Sequence, residues 1–446
     1  MNKAFKSYDI RGIYNQDFNR NDVYKTGYCL VKKFKTDKVL VGRDVRISTP
    51  EIFEALCQGI NDAGADVYDI GLATTPMVYY ATARYDFSIS VQITASHNPK
   101  EYNGLKVSGK NALPIGYDTG LKDIENFLES GQVVPVLNKG KIVPFEVRKD
   151  YIDFLLKYLP DLNSLNISMD CSNGMAGILV DDIFGNHPHY IYKEPDGTFP
   201  NHEANPLEEE NVEDLKKEVL KNHSDIGVIF DGDADRVMFV DELGKFIPPD
   251  LIIGVMAHYF LEQEKGNVLQ DIRTSKSVTE YIRGFGCEMH IWKVGRAHAA
   301  LKLREINGIY GGELAGHYYF RDFFYSDSGM LAALIVLQVL VRMKEKGLTM
   351  SQIIGKIRKY ANSGELNFRI EEKDSAIDDV CAYFTAQEKP EKVMNFDGKR
   401  LEFSDWWFNI RQSNTEPYLR FIAEAKDEKI LKQKISEVVT ILKKYQ

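Results

Sequence analysis

Asp231, Gly232, Asp233, Ala234, Asp235 and Arg236 put three carboxylates at alternate positions of one short stretch. Apolar runs flank it, Ile226 to Phe230 before and Val237 to Val240 after. Short apolar runs of this kind read as buried strands, so the carboxylates converge at the end of the first strand. Aspartate oxygens are hard donors that suit Mg²⁺ or Ca²⁺. Left alone, three carboxylates this close resist ionising together, and a divalent cation removes that conflict. An EF-hand loop needs glycine at its sixth position, where Arg236 stands, and helices rather than strands on either side, so that reading fails. A hydrolase with Asp231 as nucleophile and a plain acidic turn both stay open.

Three further stretches carry reactive side chains. Thr94-Ala95-Ser96-His97-Asn98-Pro99 follows a strand-like run over 87–94. Asn-Pro and small residues force a turn, which presents Ser96 as a nucleophile or phosphoryl carrier, or as a cap of the next element. Tyr102-Asn103-Gly104-Leu105-Lys106 then brings a lysine back beside that turn, unless the lysine is simply solvated. Tyr310-Gly311-Gly312-Glu313-Leu314-Ala315-Gly316-His317 surrounds a Glu and a His with glycines, which admit close backbone approach to a ligand. Glu313 can accept from sugar hydroxyls and His317 can shuttle a proton, although a structural Glu–His pair would look the same. Arg411-Gln412-Ser413-Asn414-Thr415-Glu416-Pro417-Tyr418-Leu419-Arg420 offers guanidinium, hydroxyl, amide and turn N–H donors, the parts of a phosphate clamp or of a polar hairpin loop. Tyr8-Asp9-Ile10-Arg11-Gly12 adds another cation near the start.

The elements that must position these residues alternate in type. Strand-like and helix-like runs alternate over 39–327, as at 38–42 before a helix near 50–63, and at 267–271 before a helix near 275–284. Such alternation signals α/β units with parallel or mixed sheets. After about residue 362 the pattern changes. Residues 366–370 are strand-like, 406–411 and 418–425 alternate as half-buried strands, and 427–445 form an amphipathic closing helix, which together read as an α+β domain. Charged stretches at 146–150, 244–250 and 362–365 are the candidate boundaries. The longest apolar run, 330–341, is interrupted by Gln338. It falls short of the ~18 residues of a membrane span and reads as a buried helix.

At 446 residues, the chain has room for about three domains. Its net charge of −9 excludes a global field that would recruit nucleic acid or an anionic membrane, so an anionic substrate needs a local cationic pocket. The cysteines, Cys29, Cys57, Cys171, Cys287 and Cys381, are scattered and form no CxxC pair. That argues against disulfides or zinc and fits a reducing cytoplasm. The first residues carry no apolar signal-peptide core, so a cytoplasmic location is expected.

Four motifs in fixed order, 94–99, 231–236, 312–317 and 411–415, resemble those of the α-D-phosphohexomutase family, most closely its phosphomannomutase/phosphoglucomutase branch, and the resemblance covers the whole chain. It implies an α/β fold: three related mixed α/β domains plus a smaller, mobile C-terminal α+β domain around a central cleft. The expected divisions are 1–147 with a phosphoserine loop, 148–248 with a metal loop, 249–362 with a sugar loop and 363–446 with a phosphate site, hinged near 362–366. The implied reaction interconverts hexose 1-phosphate and hexose 6-phosphate, of mannose and/or glucose, through a 1,6-bisphosphate. Mg²⁺ is the implied metal, hexose 1,6-bisphosphate the activator, a phosphosugar the partner, and monomer or homodimer the assembly.

Residue by residue, the resemblance makes Ser96 the phosphoserine and a metal ligand beside Asp231, Asp233 and Asp235. Lys106, Arg11 and His97 would assist proton transfer and charge stabilisation, with Arg236 supporting the metal loop. Glu313, Ala315 and His317 would meet the sugar, with Tyr8 and Lys293 facing the substrate. Arg411, Ser413, Asn414 and Thr415, with Arg420 nearby, would grip the non-reacting phosphate. Ala315 departs from the family's common serine and loses a hydroxyl donor, worth roughly 0.5–1.5 kcal/mol for a real contact. Leu314-Ala315 also departs from the Gln-Ser of the phosphoglucosamine branch, which leans the reading toward neutral hexoses. A phosphoglucosamine mutase, a haloacid-dehalogenase-like sugar phosphatase using Asp231, and a non-catalytic sugar-phosphate binder are the alternatives.

Overall fold

A computed structural model describes residues 3–413 and 418–445. Four sheets follow one another along the chain. The first orders its strands Ile10–Ile13, Tyr102–Gly109, Ile89–Ile93, Lys38–Arg43, Asp66–Leu72, Ile142–Pro144. The second runs Phe246–Ile247, Val237–Asp241, Ile226–Phe230, Ile167–Asp170, His189–Ile191, and the third Glu288–Trp292, Asn267–Asp271, Tyr310–Gly312, Tyr318–Phe320, Ser326–Asp327.

All three are mixed, and they repeat one arrangement. In each, one strand pairs parallel on one side and antiparallel on the other: Ile89–Ile93, Ile226–Phe230 and Tyr310–Gly312. Each is buried along its whole length and hands the chain to one of the reactive stretches, at Ser96, Asp231 and Glu313. A strand buried on both faces must end where the sheet meets solvent, and crevices beyond strand ends are where open α/β sheets bind ligands.

The last sheet is antiparallel, ordered Ala361–Asn362, Tyr418–Ala425, Trp406–Gln412, Lys399–Glu402, Lys392–Met394, with Leu366–Arg369 also on Tyr418–Ala425. Helices Lys373–Gln387 and Glu428–Leu442 pack against it. The sequence pattern predicts half-buried strands here, whereas residues 406–411 are buried throughout. Trp406, Phe408 and Ile410 join the apolar core of this domain. Trp407, Asn409 and Arg411 alternate with them and are buried too, Trp407 beneath the fully buried Arg400 at 3.6 Å. Arg400 in turn donates to Ile272 O and Thr274 O of the third domain at 2.8 and 2.7 Å, so a polar face is covered by another domain rather than by water.

One apolar cluster runs through the first three domains and includes the helix Gly329–Glu345, whose first turn is capped by Ser328 accepting from Leu331 N. The fourth domain keeps a core of its own. No helix among the described residues is long and apolar enough to cross a membrane. All five cysteines are buried and free.

Glu424 joins the third and fourth domains. Its Oε2 accepts from Ser275 Oγ at 2.9 Å, Lys276 N at 3.1 Å and Trp407 Nε1 at 2.8 Å, and its Oε1 from Asn362 Nδ2 at 3.0 Å. Asp250 is buried nearby and accepts from Ser275 N. Burial, and then the charge of Glu424, push the Asp250 carboxyl up to about 7. An unfolded aspartate titrates near ~3.9. Between those values the folded protein holds a proton that the unfolded chain has lost, so Asp250 favours folding at low pH and its full penalty is felt above about pH 7. Asp250→Asn is therefore expected to stabilise the protein by about 1–3 kcal/mol at pH 8 and by much less at pH 4. Denaturant unfolding at the two pH values checks this, and equal gains would contradict it.

Candidate active site

Ser96 leaves its strand in the left-handed region, at φ +53°, which is costly for a residue with a side chain. The surroundings hold it there. Arg46, itself 1% exposed and paired with Asp44, donates through Nη2 to Ser96 O at 2.8 Å and Asn98 O at 2.6 Å. Through Nη1 it reaches Pro99 O at 2.7 Å and Tyr102 O at 3.0 Å. Thr94 Oγ1 accepts from Ser96 N. The Ser96 hydroxyl donates to Asp231 Oδ2 at 2.9 Å and lies 3.4 Å from His97 Nδ1. Burial, then the charges of Arg236, Arg11 and Lys106, push the His97 imidazolium well below its usual range, so the ring is neutral at pH 7. Gly232 allows the two loops to meet, since a Cβ there would stand 2.5 Å from Ser96 O.

Asp231, Asp233 and Asp235 are fully buried, and each offers a carboxylate oxygen within 4.8 Å of the others. Burial, then Asp235 and Asp233, push the Asp231 carboxyl well above the usual range. Lys106 Nζ donates to Asp233 Oδ2 at 2.6 Å and Asp235 Oδ2 at 2.5 Å. Burial opposes its charge, but those two carboxylates outweigh burial and keep it an ammonium. Asp233 Oδ1 and Asp235 Oδ1 have no hydrogen-bond partner among the described residues. Buried, bare carboxylate oxygens beside a third carboxylate are the donor set of a hard divalent cation, so the residues fit a metal site.

Arg236 and His317 connect this loop to the glycine-rich loop over 312–317. Arg236 Nε donates to His317 Nε2 at 2.9 Å, and His317 Nδ1 donates to Asp327 Oδ2 at 2.6 Å. Asp327 Oδ1 accepts from Arg296 Nε at 2.9 Å, and Arg296 lies over the Tyr79 ring. Burial pushes the Asp327 carboxyl up, but the His317 hydrogen bond and the Arg296 charge outweigh it and hold it at about 2. His317 thus serves the carboxylate loop as much as the cleft. Sequence reading missed Asp327, Arg296 and Arg46. The polar run Ser326-Asp327-Ser328 before an apolar helix was the available signal for Asp327. Arg11 pairs with Asp9 and donates to Asn98 Oδ1 at 2.9 Å, which places it beside the serine loop.

A single cleft of about 1460 Å³ faces both groups, with His97, Lys106 and Arg236 at one end and Arg411, Ser413 and Arg420 at the other. Glu313 and Ala315 also line it. Glu313 is 3% exposed and accepts from Tyr319 Oη at 2.8 Å and Gly295 N at 3.2 Å. Tyr8 lines the cleft and donates to Val294 O at 3.0 Å, bringing the first domain against the third. Burial, then the Glu313 charge, push its phenol up to about 12. Lys293 adjoins Val294 and Gly295, which line the cleft, but is not itself part of that lining. Asn414 and Thr415 lie outside the described residues. Arg273, whose only sequence signal is its place two residues after Asp271 at a strand end, also lines the cleft.

Comparison with known proteins gives a consistent assignment. Family models described as phosphoglucomutase/phosphomannomutase alpha/beta/alpha domains I, II and III match residues 2–133, 149–244 and 248–360, and the C-terminal domain matches 365–441. A phosphomannomutase of Salmonella montevideo is 36% identical over 98% of this chain and 98% of its own length. A protein of Xanthomonas campestris pv. campestris named phosphohexose mutases is 34% identical over 99% of each. The crystal structure of a phosphoglucomutase/phosphomannomutase family protein from Burkholderia thailandensis superposes with a TM-score of 0.89 at 27% identity, covering 100% of this chain and 98% of that one. The buried carboxylate cluster, the serine loop laid against it and matches spanning all four domains therefore lead to one conclusion: the chain belongs to the phosphoglucomutase/phosphomannomutase family of α-D-phosphohexomutases.

Proposed function

We propose that this phosphohexomutase interconverts the 1- and 6-phosphates of mannose, glucose or both, with Ser96 as the phosphoryl carrier. The observation that carries the reading is Ser96 Oγ held 2.9 Å from Asp231 Oδ2, in a buried cluster at one end of a cleft whose other end presents Arg411 and Arg420. One end has the donors of a phosphoryl-transfer site and the other those of a phosphate grip.

Phosphorylated Ser96 gives its phosphoryl group to the free hydroxyl of hexose 1-phosphate, leaving a 1,6-bisphosphate and the serine hydroxyl. The bisphosphate turns within the cleft, and its other phosphate returns to Ser96 Oγ, leaving hexose 6-phosphate. Ser96 Oγ has Asp231 Oδ2 and His97 Nδ1 at hand for its proton. Asp231, Asp233 and Asp235, with an oxygen of the serine phosphate, would hold Mg²⁺. When bound, the ion neutralises charge on the transferring phosphoryl oxygens. Lys106 and Arg11 add fixed positive charge on the same side, and preorganised charge of this kind is the main resource of phosphoryl transfer. Glu313, through its carboxylate, and His317 at the loop's end face the sugar. Arg411, Ser413 and Arg420 take whichever phosphate is not reacting, so both orientations bind. Hexose 1,6-bisphosphate activates by rephosphorylating a serine that has lost its phosphate. Ala315 offers no hydroxyl to the sugar, which supports neutral hexoses over glucosamine.

Phosphorus NMR of the protein with mannose 1-phosphate, Mg²⁺ and a trace of hexose 1,6-bisphosphate tests this. A growing 6-phosphate signal without inorganic phosphate is the expected result, and glucose 1-phosphate in place of mannose sets the preference. Accumulating inorganic phosphate would overturn the reading in favour of hydrolysis.

A further inference from the structure

The cationic end of the cleft contains a carboxylate that the exchange of phosphates does not employ. Glu365 lies at the junction of the third and fourth domains and lines the cleft. Its Oε1 accepts from Arg420 Nη1 at 2.9 Å, and its Oε2 stands 3.7 Å from Arg273 Nη1. Arg273 is set rigidly. Asp271 accepts from its Nε at 3.1 Å, from its Nη2 at 2.9 Å and from its backbone N at 2.7 Å. The same Asp271 accepts from Leu314 N at 2.8 Å, so the guanidinium is fixed relative to the sugar loop. Arg411 completes the group. It is 6% exposed, and its Nε has no hydrogen-bond partner among the described residues. Burial, then the charge of Arg273, act against the Arg411 guanidinium, and the charge of Glu365 acts for it.

Three guanidiniums gathered this closely need an anion. One carboxylate supplies a single charge and two oxygens. A phosphate dianion supplies more of both to the same forked donors. Gly364, at φ +66°, immediately precedes Glu365, in a backbone conformation that is costly for a residue with a side chain. The carboxylate can leave without disturbing Arg273, whose orientation Asp271 maintains.

We propose that Glu365 is an internal stand-in for the substrate's non-reacting phosphate, and that Arg273 of the third domain joins Arg411 and Arg420 of the fourth in binding that phosphate once Glu365 yields its place. The inference rests on the reading of the cleft as a phosphosugar site and adds a ligand and a competitor to it. Because Glu365 links Arg273 to Arg420, its exchange for phosphate also replaces one bridge between the two domains with another.

Calorimetric titration of the full-length protein with inorganic phosphate tests the exchange directly, with Arg411→Gln reporting how much phosphate binds at this end. Glu365→Gln removes the competing charge and is expected to tighten phosphate binding about threefold or more. Arg273→Lys keeps a cation opposite Asp271 but withdraws the Nη1 arm, and is expected to weaken binding about tenfold. The double variant should bind more weakly than Glu365→Gln alone. Weaker or unchanged binding in Glu365→Gln would show a mere tie between domains and overturn the proposal, as would unchanged binding in Arg273→Lys. Sugar turnover by the wild type is a separate measurement. Affinities that move as expected without turnover would sink the proposed reaction and keep the stand-in, and turnover with unmoved affinities would do the reverse.

Discussion

Ser96→Ala is expected to lower mutase turnover by at least roughly 10³-fold, because it removes the only atom in the scheme that carries the phosphoryl group between sugars. The substitution is small in structural terms. Arg46 holds Ser96 through its backbone oxygen, and that bond survives. Asp231 loses one donor but keeps the backbone N–H of Arg236 at 3.2 Å. The stability cost is accordingly about 1 kcal/mol. A folded, inactive protein with no phosphate on intact-mass measurement is the expected outcome. Retained turnover would transfer the nucleophile's role to Asp231 and count against the scheme.

Asp233→Asn is expected to cost at least roughly 10²-fold in rate, since metal ions contribute several kcal/mol to phosphoryl transfer. A binding readout separates this from general damage. Mg²⁺ at about a hundred times its dissociation constant would stabilise the wild type by about 2.7 kcal/mol, and the variant should show little of that gain. Asp233 also accepts from Thr75 Oγ1 and Lys106, so a lower melting temperature without metal is expected in the variant. A full Mg²⁺-dependent shift in the variant would mean that the ion is held elsewhere.

The reactive stretches were legible in the sequence because each is short and sits at the end of a strand-like run: Ser96, Asp231 and Glu313 all follow strands that are buried throughout. The distinct last domain was legible from its change of pattern. Three separate units before it were not evident from pattern alone, because one apolar cluster crosses all three and the alternation never pauses. The residues missed owe their roles to distant partners. Arg46 acts on carbonyls 50 to 56 positions later, and Arg296 on Asp327. A lone arginine among many has no local signature for such a role. Lys106 lies on the strand paired with the one that leads to the serine loop, but only the fold shows its ammonium on Asp233 and Asp235.

Arg46 and the four carbonyls it engages all belong to the first domain. The shape of the serine loop is thus inherited as one cassette, independent of the loops of the third and fourth domains that line the cleft. Lineages of this fold can therefore exchange or reshape those later loops while the serine loop stays seated as before. A chimera that borrows the last two domains from a relative needs no change at the serine loop, whereas one that splits the first domain between Arg46 and Ser96 separates the loop from its support.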